Sequence, residues 1–355
     1  MKKFKGRVSF MGLTPNKVLG LFKRSFSFNK PHHVQWMVTR RCNYRCKSCD
    51  VWRDQKLTKE LSFERIKSGL DILHEIGVVE IVLSGGNPLL RDDIGEIIDY
   101  ASRYFITTIY DNGSLAAKKV DVLRKADFVA ISFDTLVEEK YDYLKGAPGA
   151  WKNAMNSIQT LKKEGIPVGV SPTISQVNMY EILEFTEYFR ERGIPVLYCL
   201  YQHDSLAKPM FQIGERNVEL EIKDKEGLAK ICDTLLEKKR ERSHGILITK
   251  KTLKALRELY QTGKRNWKCR ALHSFFTIDP MGRVAGCHLQ EPLAMIFDLP
   301  ELWDSQRFET LRETYRECNK CSYMCYMFYS LHANVQGNIE IITDQWKNAG
   351  ALLAH

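Results

Sequence analysis

Val34-Gln35-Trp36-Met37-Val38-Thr39-Arg40-Arg41-Cys42-Asn43-Tyr44-Arg45-Cys46-Lys47-Ser48-Cys49 is an apolar, β-branched run that ends in three closely spaced cysteines. Its first six residues have the composition of a strand, and the C-x3-C-x2-C group falls where that strand would finish. In parallel sheets that end is where ligands bind. Three thiolates are one short of the four that a structural zinc site takes, whereas a cubane cluster held by three cysteines keeps one iron open for a substrate. Soft sulfur ligands suit zinc, copper(I) and iron–sulfur alike, so the thiols alone leave the metal undecided.

Outward from this stretch, short apolar runs alternate with segments of helical period as far as residue 202, the pattern of repeated βα units around a parallel sheet. Strands are predicted at 34–39, 80–84, 105–110, 128–133, 168–174 and 196–202. Ser62 can cap a helix with Ile66, Leu70, Leu73 and Ile76 on one face, and Gly77 supplies its stop. Two further helices end in the same Gly-Ile-Pro-Val unit, at 165–168 and at 193–196. Beyond residue 203 a polar connection leads to a charged helix near 228–236 and a shorter one near 252–260. A hairpin over 277–285 turns at Pro280, Met281 and Gly282, and a cysteine-rich tail follows.

A chain of 355 residues with 44% apolar content can bury more than one core, and no apolar stretch approaches the 18 or so residues of a membrane-spanning helix. Ten cysteines in a chain this long, with no signal-peptide pattern near Met1, point to a reducing compartment and to metal ligation rather than to a disulfide framework. The net charge of +10 is local: residues 1–49 hold twelve Lys or Arg and no acid, and the rest balances 41 basic against 43 acidic residues. Thr14-Pro15 opens a basic amphipathic segment, 14–26, with Val18, Leu19, Phe22 and Phe26 on one side. It reads equally as a contact to anionic membrane or an acidic substrate and as a helix packed on the end of the fold.

The run from Cys42 to Cys49 resembles the signature of the radical S-adenosylmethionine (radical SAM) superfamily, and the similarity extends over roughly residues 34–330. The resemblance implies a [4Fe-4S] cluster on Cys42, Cys46 and Cys49, with S-adenosylmethionine chelating the open iron. It implies reductive cleavage to a 5′-deoxyadenosyl radical and hydrogen abstraction from an organic substrate. Gly85-Gly86-Asn87-Pro88 is similar to the family's Gly-Gly-Glu-Pro. Asn112-Gly113 matches its Asn-Gly turn, Ser132 its Ile-Ser-x-Asp serine, and Lys145-Gly146 its Arg-Gly. Gly85, Gly86, Asn87, Asn112, Ser132 and Lys145 are therefore expected at the cofactor. Asn87 brings an amide in place of an acid, Lys145 a point charge in place of a planar fork, and Ser48 stands where an aromatic commonly touches adenine.

The later cysteines are similar to the twitch or SPASM extension of the same superfamily, which carries auxiliary clusters. Cys269, Cys287, Cys318 and Cys321 are assigned to a second [4Fe-4S] cluster, with Cys325 as the competitor for the last place. Cys199 and Cys232 read as inert core thiols. The resulting expectation is an α/β fold, a partial (β/α)6 TIM-like barrel with a small C-terminal auxiliary-cluster domain. Its boundaries are a basic amphipathic segment at 1–33, the barrel at 34–205, a helical connection at 206–266, the auxiliary domain at 267–340 and a tail at 341–355. The implied setting is cytoplasmic, with 14–26 as a membrane contact, an electron donor such as ferredoxin or flavodoxin, and no specific nucleic acid. The substrate class is a lipid or isoprenoid, or a peptide. Tyr110, Asp111, Tyr198, Tyr201, His203 and Asp204 stand near strand ends, and none is singled out as catalytic. The contrasting reading is a zinc-stabilised basic nucleic-acid-binding protein, with His33 completing a zinc site on the first three cysteines.

Overall fold

The computed structural model describes residues 30–54, 59–204, 210–211, 213–337, 339–341 and 343–344. The amphipathic segment 14–26 and nearly all of the tail 341–355 lie outside them.

Five parallel strands pair in chain order: β1 (His33–Thr39), β2 (Glu80–Gly85), β3 (Ile106–Asp111), β4 (Phe128–Ser132) and β5 (Val168–Ser171). Helices α1 (Phe63–Glu75), α2 (Ile94–Ala101), α3 (Glu138–Lys145), α4 (Ala150–Lys163) and α5 (Ile182–Glu191) make the crossovers. The periodicity explains their placement. α1 buries Ile66, Leu70 and Leu73, each burial worth roughly 1.5–3 kcal/mol.

α4 and α5 stop at the repeated unit. Gly165 and Gly193 take positive φ (69° and 63°), and the N–H groups of Ile166 and Ile194 reach back to the carbonyls of Leu161 and Phe189, both at 2.9 Å.

The predicted fifth and sixth strands are corrected. Pro172 has no N–H to give, and the fifth strand breaks there into β5 and the two-residue β6 (Thr173–Ile174). β6 pairs with an equally short β7 (Cys199–Leu200) in a separate sheet, in place of the long strand expected at 196–202. Val196 adds single bridges to Val170 and Ile246.

α6 (Lys225–Lys238) and α7 (Lys250–Thr262) follow. The chain then returns to the first sheet. β8 (Phe275–Ile278) pairs in parallel with β1, from His33 opposite Phe275 to Trp36 opposite Ile278, and β9 (Arg283–Ala285) and β10 (Ala294–Met295) continue it antiparallel. Among the described residues the main sheet is β10-β9-β8-β1-β2-β3-β4-β5. Hydrogen bonding thus crosses from 34–205 into 267–340. α8 (Gln306–Arg316) and α9 (Met324–Leu331) complete the C-terminal part. No helix among the described residues is long and apolar enough to cross a membrane.

Candidate active site at two cysteine groups

The loop after β1 is pinned from two sides. Gly86 N–H donates to the Thr39 carbonyl (2.9 Å) and Asn87 N–H to that of Arg41 (2.7 Å). From α3, the Lys145 and Leu144 carbonyls take the N–H groups of Arg45 (3.1 Å) and Lys47 (2.8 Å). Glycine is needed at these contacts: a Cβ on Gly85 would stand 2.5 Å from the Thr39 oxygen, and one on Gly86 2.4 Å from the Arg41 oxygen.

Cys42, Cys46 and Cys49 are free thiols, half-buried, and all three line one cavity of about 1770 Å³ at the C-terminal ends of the strands. Burial is the main cause of their raised pKa values, with the charge of Cys42 adding at Cys46, which reaches about 11, and those of Cys46 and Cys42 adding at Cys49, which reaches about 12. Thiols in such a place become thiolates when a cationic centre compensates them. Among the described residues no three His, Cys, Asp or Glu side chains close on one point as they would around a single ion.

The predicted cofactor residues divide into two groups. Gly85, Gly86, Asn112, Ser132 and Lys145 line the cavity. Asn87 is buried behind the loop. Its amide nitrogen donates to Asn43 (3.2 Å), Asn112 (3.0 Å) and Ser114 (3.0 Å), while its oxygen accepts from Leu89 N–H (2.9 Å). The amide that replaces the family's acid is thus consumed in a network supporting Asn112, whose own nitrogen lies 4.0 Å from Cys42 Sγ.

Lys145 Nζ meets Asp134 Oδ2 at 2.7 Å, both 6% exposed. Burial opposes the lysine's charge, but Asp134 and the Cys46 thiol outweigh it and hold the pKa above its ordinary value. Beside them, burial pushes Asp111 up to about 7 against the N–H groups of Gly113 and Asn112. Its Oδ1 accepts from Gly113 (2.7 Å), and its buried Oδ2 has no hydrogen-bond partner.

The second group gathers from three places: Cys269 after α7, Cys287 after β9, and Cys318 and Cys321 between α8 and α9. Burial is the main cause of the raised pKa at Cys269, which reaches about 12, and at Cys287, and both also feel Cys318 and Cys321. Gly286 sits under the Tyr315 ring, which a Cβ there would strike at 2.4 Å, and Arg265 Nη1 ties down the Cys318 carbonyl at 2.6 Å. Cys325 lines the cavity and feels both Cys199 and Cys321, although burial is the main cause of its raised pKa.

Two sequence expectations are corrected. Cys199 is not sealed in the core: it is partly buried, lines the cavity and lies 3.5 Å from Ser171 Oγ, with burial raising its pKa. Cys232 is buried as expected. His33 cannot serve the first cysteines. It sits at the far end of β1, about 20 Å of strand away, with Nδ1 3.3 Å from Glu80 and its ring stacked on Tyr329 at 3.9 Å.

Of the strand-end candidates, Tyr110, Asp111, Tyr198 and Tyr201 line the cavity. His203 and Asp204 are not among the lining residues, and Asp204 instead accepts Gly214 N–H at 2.8 Å.

Sequence reasoning missed Trp52, His288 and Phe211. Trp52 lines the cavity and donates its indole N–H to the Cys49 carbonyl (2.9 Å); its place three residues past the last cysteine was the available signal. His288, pushed down to about 3 by burial, is neutral and takes part in a 2.7 Å bond between its Nδ1 and Tyr326 OH. Phe211 stacks on it at 5.4 Å. Arg40 holds this segment by donating to the carbonyls of Phe211 and Met210, both at 2.9 Å.

A family model described as the radical SAM superfamily matches residues 36–189. Over 181 residues the chain is 33% identical to the Fe-coproporphyrin III synthase of Methanosarcina barkeri (strain Fusaro / DSM 804), covering 50% of this chain and 45% of that protein. Over 174 residues it is 28% identical to the antilisterial bacteriocin subtilosin biosynthesis protein AlbA of Bacillus subtilis (strain 168), 48% of this chain and 39% of that one. The chain thus spans less than half the length of these two curated relatives. In fold it is similar to Streptococcus suis SuiB bound to precursor peptide SuiA, with a TM-score of 0.63 at 17% identity over 88% of this chain and 73% of that one. None of these matches supports a zinc-stabilised nucleic-acid-binding protein.

Proposed function

Because this chain carries a radical SAM domain, whose cofactors are a [4Fe-4S] cluster and S-adenosylmethionine, we propose that Cys42, Cys46 and Cys49 hold that cluster and that the protein abstracts hydrogen from an organic substrate in the adjoining cavity. When bound, the cluster and cofactor together supply one electron to a sulfonium and a 5′-deoxyadenosyl radical as the hydrogen acceptor. The chain's own residues bind, orient and exclude water. Lys145, kept charged by Asp134, offers an ammonium to the methionyl carboxylate. Gly85 and Gly86 admit the methionyl amine close to the backbone, and Asn112 and Ser132 offer hydrogen bonds along the nucleoside. Trp52 provides the aromatic face that Ser48 lacks. Asp111 Oδ2 is a buried oxygen free to accept from a ribose hydroxyl or to hold a proton. Arg40 anchors the Met210–Phe211 segment and so narrows the entry of water from that side.

Cys269, Cys287, Cys318 and Cys321 are proposed to hold a second [4Fe-4S] cluster. An electron acceptor there suits an oxidative or coupling modification, with ferredoxin or flavodoxin as donor to the protein. The two relatives are an Fe-coproporphyrin III synthase and a bacteriocin biosynthesis protein. For this chain the substrate proposed is a lipid or isoprenoid, with a peptide as the rival.

The observation that carries the reading is three thiols on one glycine-pinned loop, all opening into a large cavity at the C-terminal ends of parallel strands. Anaerobic reconstitution tests it. About eight irons per chain and 5′-deoxyadenosine on dithionite reduction are expected. Cys46→Ala that keeps all its iron and still forms the nucleoside defeats the proposal.

A further inference from the structure

The cavity does not end at the cysteine loop. Strand register sets His33, Glu80 and Ile106 side by side at the N-terminal end of the sheet, and Gln35, Val82 and Thr108 side by side one level above. All six line the same cavity that reaches Cys42, Cys46 and Cys49. The lumen therefore runs the length of β1, about 20 Å at the usual rise per residue. A closed barrel is plugged by layers of bulky side chains. Here the middle level carries Val82 and Thr108, with Ser84 above, too little volume to fill it, and Gln35 leans aside to Ser84 Oγ at 3.4 Å.

At the N-terminal end the lumen has a second mouth, and the repeated Gly-Ile-Pro-Val unit builds its wall. Ile166, Pro167, Ile194 and Pro195 all line it. The prolines bring no N–H, and their carbonyls are spent inside the sheet, on Val129 N–H (2.8 Å) and Val170 N–H (2.9 Å). These four residues make their part of the wall apolar, while Asp127, Ser243 and Ser274 also line this end and Glu80 is paired with His33 and Tyr329. Lys162, Arg240 and Arg242 stand exposed around it.

We propose that this mouth admits the hydrocarbon chain of an anionic amphiphile, a fatty acyl or isoprenoid lipid, whose headgroup stays on Lys162, Arg240 and Arg242 while the chain lies along the lumen toward the cysteine loop. The inference rests on the radical chemistry proposed at that loop. An anionic headgroup meets three exposed cations at the rim, and the hydrocarbon behind it meets Ile166, Pro167, Ile194 and Pro195.

The test uses reconstituted full-length protein and cis-parinaric acid, whose emission rises in apolar surroundings. Saturable binding is expected, displaced by oleate or farnesyl diphosphate if a free amphiphile is the source and by phosphatidylglycerol vesicles if a membrane lipid is. Leu197→Trp, which fills the lumen from a half-buried position, should weaken binding about tenfold, as loss of a well-buried apolar contact predicts. Arg240→Glu with Arg242→Glu, on the exposed rim where folding is not at stake, should weaken it several-fold at low salt and less at high salt. Absence of saturable binding overturns the proposal, as does binding untouched by the rim pair or displacement by an acidic peptide but not by oleate. The dithionite assay on the same samples separates the two readings: nucleoside formation without parinarate binding removes the lipid inference alone, and parinarate binding without nucleoside formation removes the radical reading alone.

Discussion

Gly86→Ala is the sharpest probe of how the cysteine loop is held. The new Cβ would stand 2.4 Å from the Arg41 oxygen and 2.7 Å from that of Arg40, where ordinary contact begins near 3.4 Å. Both obstacles are backbone, so no side chain can swing aside, and β2 and the loop must separate by about 1 Å. That strains the two hydrogen bonds joining them, Gly86 to Thr39 and Asn87 to Arg41. Two such bonds at about 1 kcal/mol each, plus overpacking of about 1–3 kcal/mol, give a cost of roughly 3–5 kcal/mol. A domain with stability on the order of 5–15 kcal/mol survives this, so the damage should appear at the loop before it appears in the fold. Urea unfolding combined with iron analysis reads both. The expected outcome is a folded, less stable protein retaining about four of about eight irons and forming no 5′-deoxyadenosine. Gly95→Ala is the control, because its Cβ meets only Val122 at 3.6 Å within α2 and should stabilise by about 1 kcal/mol. Wild-type stability, iron and nucleoside formation in Gly86→Ala would refute the reasoning.

Lys145→Met strands Asp134 in a buried site and should cost about 3–5 kcal/mol in thermal or urea unfolding, with part of the loss restored by adding Asp134→Asn. A loss below about 1 kcal/mol contradicts the buried pair. Cys321→Ser should lower iron by about four atoms while Cys325→Ser leaves it unchanged, and the reverse result would exchange their roles. Asp111 has a folded pKa raised from 3.8 to about 7, so the folded state holds the proton more tightly. Its contribution to stability is complete below about 4 and is lost as pH rises through about 7, by no more than ~4 kcal/mol. Unfolding of Asp111→Asn followed across that interval should show a flatter pH profile than wild type. Equal slopes would show that the carboxyl ionises freely.

The first four strands and their helices were legible because their signals are local: an apolar face at helical spacing, a glycine stop, a β-branched run. The cysteine loop was legible for the same reason, three ligands within eight residues. What escaped depends on distant partners. Pro172 marks a break within 168–174, but nothing there shows that its carbonyl accepts from Cys199 N–H and that 173–174 pair in a separate sheet. The run at 275–278 announces a hairpin with the strand after it, but its parallel pairing with β1 joins residues more than two hundred positions apart. Cys199 looks like a core thiol by its neighbours in the chain, and only the assembled barrel shows that it lines the lumen. Asn87 matches the family motif in position, yet its amide is occupied by Asn43, Asn112 and Ser114, none adjacent to it in the chain.

The bond between β8 and β1 also bears on electron movement. Cys269, Cys318 and Cys321 lie outside this pairing, but the thiol trio after β1 and Cys287 after β9 ride on a single hydrogen-bonded ribbon. Their spacing is set by ladder geometry, not by a hinge between halves. Were both groups to hold clusters, an electron passing between them would cross a gap framed on this side by paired strands.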